Sequence, residues 1–154
     1  MQGLVINNIS NNYIVECGEQ QIKCNARGKF KKEEITPVVG DRVEIEIIDE
    51  TKQEGVINEI LERDNYIKRP KLANITQIIL VVSAKMPKPD LLMLDKQLAF
   101  AHLQKIKPVI VLNKIDLNQI EEIKKIYEDI GYKVIKTNAK ARRRSRRIKK
   151  NFKK

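Results

Sequence analysis

The chain has 154 residues, 42% of them hydrophobic, enough for one domain or two small ones. It has no apolar run of about 18 residues, and Met1-Gln2-Gly3-Leu4-Val5-Ile6 is not a basic region leading into a long apolar stretch. No transmembrane helix or secretory leader is therefore expected, and the expected location is cytoplasmic, with no membrane partner. The net charge of +11 invites a nucleic-acid reading, but nine basic side chains and no acidic one fall in residues 141–154, so the body carries only +2.

Short strands are predicted over Leu4–Ile6, Tyr13–Val15 and Gln21–Cys24, with Gly18 marking a turn between the second and third. Cys17 and Cys24 have the wrong spacing for a zinc knuckle and no nearby His, so both are expected as small core residues of a strand pair. A basic stretch follows, Arg27-Gly28-Lys29-Phe30-Lys31-Lys32, and then turn chemistry at Pro37-Val38-Val39-Gly40-Asp41. Arg42–Ile47 alternates with period two, placing Glu44 and Glu46 outward, and Val56–Leu61 forms another strand. Five short strands with polar turns predict a small closed barrel, an OB-fold, over residues 1–70. OB-folds track nucleic-acid backbone with such loops, which makes Arg27, Lys29, Lys31 and Lys32 candidate RNA contacts; a solvated charge run is the competing reading. Phe30, inside the run, either stacks on a base or packs on the barrel.

The pattern changes after Pro70, and a second unit is expected over residues 71–140. Ile75–Val82 is nearly continuous and apolar, as a strand buried on both faces would be. Asp90 caps a predicted helix running to about Gln104, with Leu91, Leu94, Leu98 and Ala101 on one stripe. Pro108–Leu112 is a second buried strand. Asn118 caps another helix, with Ile120, Ile123, Ile126 and Ile130 facing inward and Gly131 ending it, and Tyr132–Lys136 is a third strand. Strand–helix–strand–helix–strand predicts a parallel α/β sheet. The lone His102 has no partner at a catalytic spacing and is expected to be structural or exposed.

Asn113-Lys114-Ile115-Asp116 follows a buried strand and precedes a helix, where ligands of open parallel sheets bind. A carboxylate at Asp116 can accept two hydrogen bonds from the N1–H and N2–H edge of guanine. Adenine offers no such donor pair and would leave the acceptor unpaired. The Asn113 amide can tie the loop and contact the base, and the Lys114 stem can pack on a ring face. The competing reading is an Asx-rich turn that only caps the next helix. No Gly-x-x-x-x-Gly-Lys-Ser/Thr loop and no Asp-x-x-Gly switch occurs in the sequence, so it holds no cradle for phosphates and no magnesium ligand.

The stretches Cys24–Phe30, Thr36–Val43, Ile67–Pro70 and Val109–Leu117 together resemble the ribosome small-subunit-dependent GTPase family, over residues 1–140. The resemblance implies an OB-fold followed by a P-loop-type, circularly permuted GTPase domain, of which this chain carries the first, incomplete part. It implies a monomeric cytoplasmic factor for late maturation of the small ribosomal subunit, with the barrel on rRNA and GTP or GDP as ligand. The family is a GTP hydrolase, but the magnesium and zinc sites of the family have no counterpart in these residues, and hydrolysis by this chain alone is not expected. Such GTPases usually place Ser-Ala-Lys after the third strand, where a backbone N–H meets guanine O6. Ala139 and Lys140 match, and Asn138 stands where Ser would be.

Residues 141–154 are expected to be a disordered basic tail. Shifted by one base, one adenine-rich coding of this tail gives an acidic amphipathic helix start, as the family would have there, which makes the chain a truncated or mis-framed member. The alternative is a genuine RNA-binding arm on a standalone RNA-binding protein, and a structural interaction protein without a ligand ranks third.

Overall fold

The computed structural model describes residues 1–10, 12–28, 30, 35–117 and 121–140. It divides into two compact units, Met1–Ile75 and a second beginning at Thr76. The expected tail, 141–154, lies outside the described residues, as do Asn118 and Ile120.

The first unit is built on β1 (Gln2–Ile9), β2 (Asn12–Cys17), β3 (Gln20–Ala26), β4 (Arg42–Asp49) and β5 (Glu54–Ile60). They close into a barrel of order β1-β2-β3-β5-β4, as the sequence predicts for an OB-fold. All pairings are antiparallel except β3 with β5. Closure leaves no free edge, and alternation sends Val5, Val15, Ile22, Val43, Ile45 and Ile57 inward. Cys24 is buried and Cys17 packs against the same core, and neither is in a disulfide. Burial, with the neighbouring Cys17 adding to it, pushes the Cys24 thiol up to about 11.

A hairpin that the sequence reading missed, β6 (Tyr66–Lys68) with β7 (Lys71–Ala73), docks on this barrel. The Ala73 N–H donates to the Val39 carbonyl at 3.0 Å, and the Asn74 side-chain amide donates to the Gly40 carbonyl at 2.8 Å. Gly40 has φ +93, and a Cβ there would sit 2.0 Å from the Ala73 carbonyl oxygen. Beneath the hairpin Asp41, fully buried, receives the Arg63 fork through Nε at 2.7 Å and Nη2 at 2.8 Å, and the Val38 N–H at 2.8 Å. Arg63 also donates to the Thr36 carbonyl at 3.1 Å and lies 4.8 Å from the Tyr66 ring centroid.

The second unit holds β8 (Gln77–Ser83), α1 (Leu91–Leu103), β9 (Lys107–Asn113), α2 (Glu121–Asp129) and β10 (Lys133–Lys136). The sheet is parallel, of order β10-β9-β8. Asp90 caps α1 by accepting the Met93 N–H at 2.9 Å, and Leu94, Leu98 and Ala101 are buried as predicted. Both helices share one cluster with Leu80, Ile110 and Leu112, so both cover the same face of the sheet.

Two expectations are corrected. β8 is not buried on both faces: it is an edge strand, and Ile79 and Val81 are 45% and 65% exposed. On α2 the inward positions are Ile123 and Tyr127, whereas Ile126 and Ile130 are exposed. Tyr127 takes the inward stripe because its ring is buried while its hydroxyl donates to Asp95 of α1 at 2.7 Å. Burial, and then that bond, hold the Tyr127 hydroxyl well above its ordinary range.

The Asp41–Arg63 fork gives a stability test. Asp41→Ala leaves a guanidinium and a buried N–H without their acceptor, and is expected to cost about 3–5 kcal/mol. Urea unfolding followed by circular dichroism measures it; a loss below about 1 kcal/mol, the scale of an exposed pair, contradicts the role given to the fork.

Candidate guanine site

Parallel pairing brings the carboxyl ends of β8, β9 and β10 to one edge of the sheet, with Ser83 opposite Asn113 and Leu112 opposite Lys136. The loops that leave these ends are tied to one another. The Thr137 N–H donates to the Leu112 carbonyl at 2.8 Å, and the Ala84 N–H donates to the Asn113 carbonyl at 2.8 Å. The Asn113 side-chain oxygen accepts the Ala139 N–H at 3.1 Å, which locks the β9 and β10 loops together. Asn138 then closes its own turn by accepting the Lys140 N–H at 3.1 Å.

Lys114 adopts φ +61, a left-handed conformation that turns the chain sharply after β9, and the Leu117 N–H closes the turn on the Lys114 carbonyl at 3.0 Å. The Lys114 ammonium donates to the Met86 carbonyl. A cavity of about 420 Å³ opens between the loops, lined by Met86, Asn113, Lys114, Asp116, Leu117, Asn138, Ala139 and Lys140. All five residues that the sequence assigns to guanine, Asn113, Lys114, Asp116, Ala139 and Lys140, fall on its wall. Met86, Leu117 and Asn138 were not assigned; Met86 sits in a proline-punctuated loop that carries no ligand motif.

The free groups of the cavity define its chemistry. Asp116 is exposed, and among the described residues its carboxylate has no hydrogen-bond or ion-pair partner. The Ala139 and Lys140 N–H groups are both taken by asparagine side chains, so among the described residues the open donors of the wall are the Asn113 and Asn138 Nδ2 amides and the Lys140 ammonium. The wall thus offers an anionic acceptor, an amide donor and apolar surface from Met86 and Leu117.

The proposed RNA contacts of the barrel are placed less favourably. Phe30 is 4% exposed and packs in the barrel core, the second of its two readings, so it is a poor candidate for stacking on a base. Arg27 lines a cavity of about 220 Å³ with Tyr13, Phe30 and Pro37, but its guanidinium pairs with Glu46 at 3.1 Å, and the Asn58 amide shares that carboxylate at 3.2 Å. An exposed pair of this kind is worth little and can open to a phosphate. Lys29, Lys31 and Lys32 lie outside the described residues. His102 is exposed, with Nε2 3.1 Å from the Tyr132 hydroxyl, as a structural histidine is.

A closed five-stranded barrel followed by a parallel α/β unit, with strand-end loops around an acceptor-bearing cavity, defines a two-unit barrel-plus-α/β protein. The RsgA N-terminal domain family matches residues 2–57, and the RsgA GTPase family matches residues 60–154. The chain belongs to the RsgA GTPase family. It is 39% identical over 142 residues to the small ribosomal subunit biogenesis GTPase RsgA of Caldanaerobacter subterraneus subsp. tengcongensis, covering 90% of this chain and 48% of that protein. It is 41% identical over 140 residues to the protein of the same name from Alkaliphilus metalliredigens, covering 89% and 48%. The crystal structure of YjeQ from Thermotoga maritima superposes with a TM-score of 0.84 at 36% identity, covering 99% of this chain and 56% of that one. YloQ, described as a circularly permuted GTPase, superposes at 0.82 with 32% identity and the same coverage. The chain spans about half the length of the curated relatives it matches.

The tie between the two loops gives a local prediction. Asn113→Ala removes the acceptor of the Ala139 N–H, and hydrogen exchange at that amide is expected to quicken about fivefold, the equivalent of about 1 kcal/mol. An unchanged rate shows that the loops are held by something else.

Proposed function

We propose that this chain is the N-terminal part of a cytoplasmic GTPase that assists late maturation of the small ribosomal subunit, with the α/β unit recognising guanine and the barrel contacting rRNA. The observation that carries the reading is the unpartnered Asp116 carboxylate in a cavity whose frame is fixed by the Asn113–Ala139 hydrogen bond. Asp116 accepts the N1–H and N2–H edge of the base, the Asn113 amide donates to its O6 and N7 side, and the Lys114 and Lys140 stems cover ring surface. The two curated relatives quoted above carry ribosome biogenesis and GTPase in their names, and the family membership of this chain extends that role to it.

The recognition step is separable from hydrolysis. These residues include no phosphate loop and no switch segment, so they bind the base without gripping the phosphates, and no GTP turnover is expected from them alone. The 154-residue chain is expected to bind guanosine and not adenosine in a calorimetric or NMR titration, with GTP no tighter than guanosine. Asp116→Asn is expected to weaken guanosine binding about tenfold or more, since a charge-assisted pair of bonds is lost. Equal binding of adenosine, or submicromolar binding of GTP, contradicts the reading.

On the barrel, Arg27 and the neighbouring Lys29, Lys31 and Lys32 are the basic groups that would meet rRNA phosphates. Replacing the three lysines with alanine is expected to lower the slope of log affinity against log salt by about one for each phosphate no longer neutralised. An unchanged slope in a binding assay with small-subunit rRNA places the RNA-binding groups elsewhere.

A further inference from the structure

The loop between β8 and α1 is held at the cavity by contacts that reading the edge of a base does not require. The Ser83 hydroxyl donates to the Met86 carbonyl at 2.8 Å, and the Lys114 ammonium donates to the same oxygen. One carbonyl therefore takes two donors, one from the end of β8 and one from the turn after β9, and the Ala84 N–H ties the same loop to the Asn113 carbonyl. The Met86 side chain that this arrangement presents lines the cavity and is 66% exposed. Its backbone is fixed while its flexible, polarisable side chain stays in water, the combination suited to closing on a flat ring.

Hydrogen bonds to the edge of a purine leave both of its faces to be desolvated, and Asp116 is blind to them. Met86 and Leu117 are the two large apolar side chains of the lining, and Leu117, at 44% exposure, belongs to the Lys114 turn. Met86 comes from a different strand end, so it can cover the base from a direction that the Asn113–Asp116 segment does not supply. We propose that Met86 is the apolar wall that packs on a face of the bound base, and that Ser83 is the residue that positions it. The proposal rests on the guanine reading above and adds two residues outside the segment that carries it. Because the contact is with a ring face, it strengthens binding of guanine and hypoxanthine alike, whereas the choice between them stays with Asp116.

The test uses the full 154-residue chain with guanosine and inosine as probes, followed by NMR with methyl-labelled methionine. In the wild type an intermolecular NOE is expected between the Met86 methyl and the base. Met86→Ala is expected to weaken both nucleosides by the same factor, about five- to tenfold. Ser83→Ala is expected to weaken both about threefold, and Ser83→Thr, which keeps the hydroxyl, to restore them. An unchanged affinity in Met86→Ala, or no NOE from its methyl, overturns the proposal while the base site stands. A changed guanosine-to-inosine ratio in Met86→Ala also overturns it, since the substitution would then act by disturbing Asp116. A wild-type chain that binds neither nucleoside removes the base site itself, and the proposal with it.

Discussion

The site depends on parallel pairing. Three strands running the same way must release their loops at the same edge, and a register that sets Ser83 beside Asn113 makes those loops meet. A slip of one residue would turn Asn113 to the other face of the sheet and separate its amide from Ala139. The bond between these residues therefore links strand pairing, which is set by long apolar runs, to a polar cavity made by short loops. The polar chemistry is local, but its geometry is inherited from Val109–Leu112, which are all buried in the central strand.

Much of this was legible in the sequence because the signals were redundant. Period-two alternation, turn residues and short strand length all pointed to a barrel, and the Asn113–Asp116 segment stood at the end of an apolar run, where a ligand loop belongs. What escaped had a physical reason in each case. The apolar run of β8 reads as buried on both sides, yet its place at an edge is a property of the whole sheet. On α2 the isoleucines suggested one stripe, and a tyrosine with a buried partner for its hydroxyl took the position instead. For Phe30 the sequence left two readings open, since it sits among lysines in sequence, and its place among barrel side chains decides between them. The β6–β7 hairpin has strands of only three residues, too short for periodicity to show. The loop of Met86 carries no motif at all, and its place on the cavity wall comes from where its carbonyl is held.

The first unit illustrates how a charge can be structural rather than functional. Asp41 has its polar needs met by Arg63 and by the Val38 N–H, so it organises the turn before β4 without offering anything to a ligand. Asp116 is the opposite case, a carboxylate on a fixed loop with no partner of its own among the described residues. The contrast separates the two acids more surely than their types or sequence contexts do, since both lie in loops that flank strands.

The close approach of Gly40 to Ala73 has a further consequence for how the two segments can vary. The contact is between main chains, with a carbonyl oxygen filling the space that any side chain at position 40 would need. At this point the docking of the hairpin is set by main chain rather than by side chains. Lys68 and Lys71, both exposed, take no part in that contact, while position 40 admits hydrogen and nothing larger. A surface can in this way carry its charges apart from the place where its closest attachment is written in the backbone.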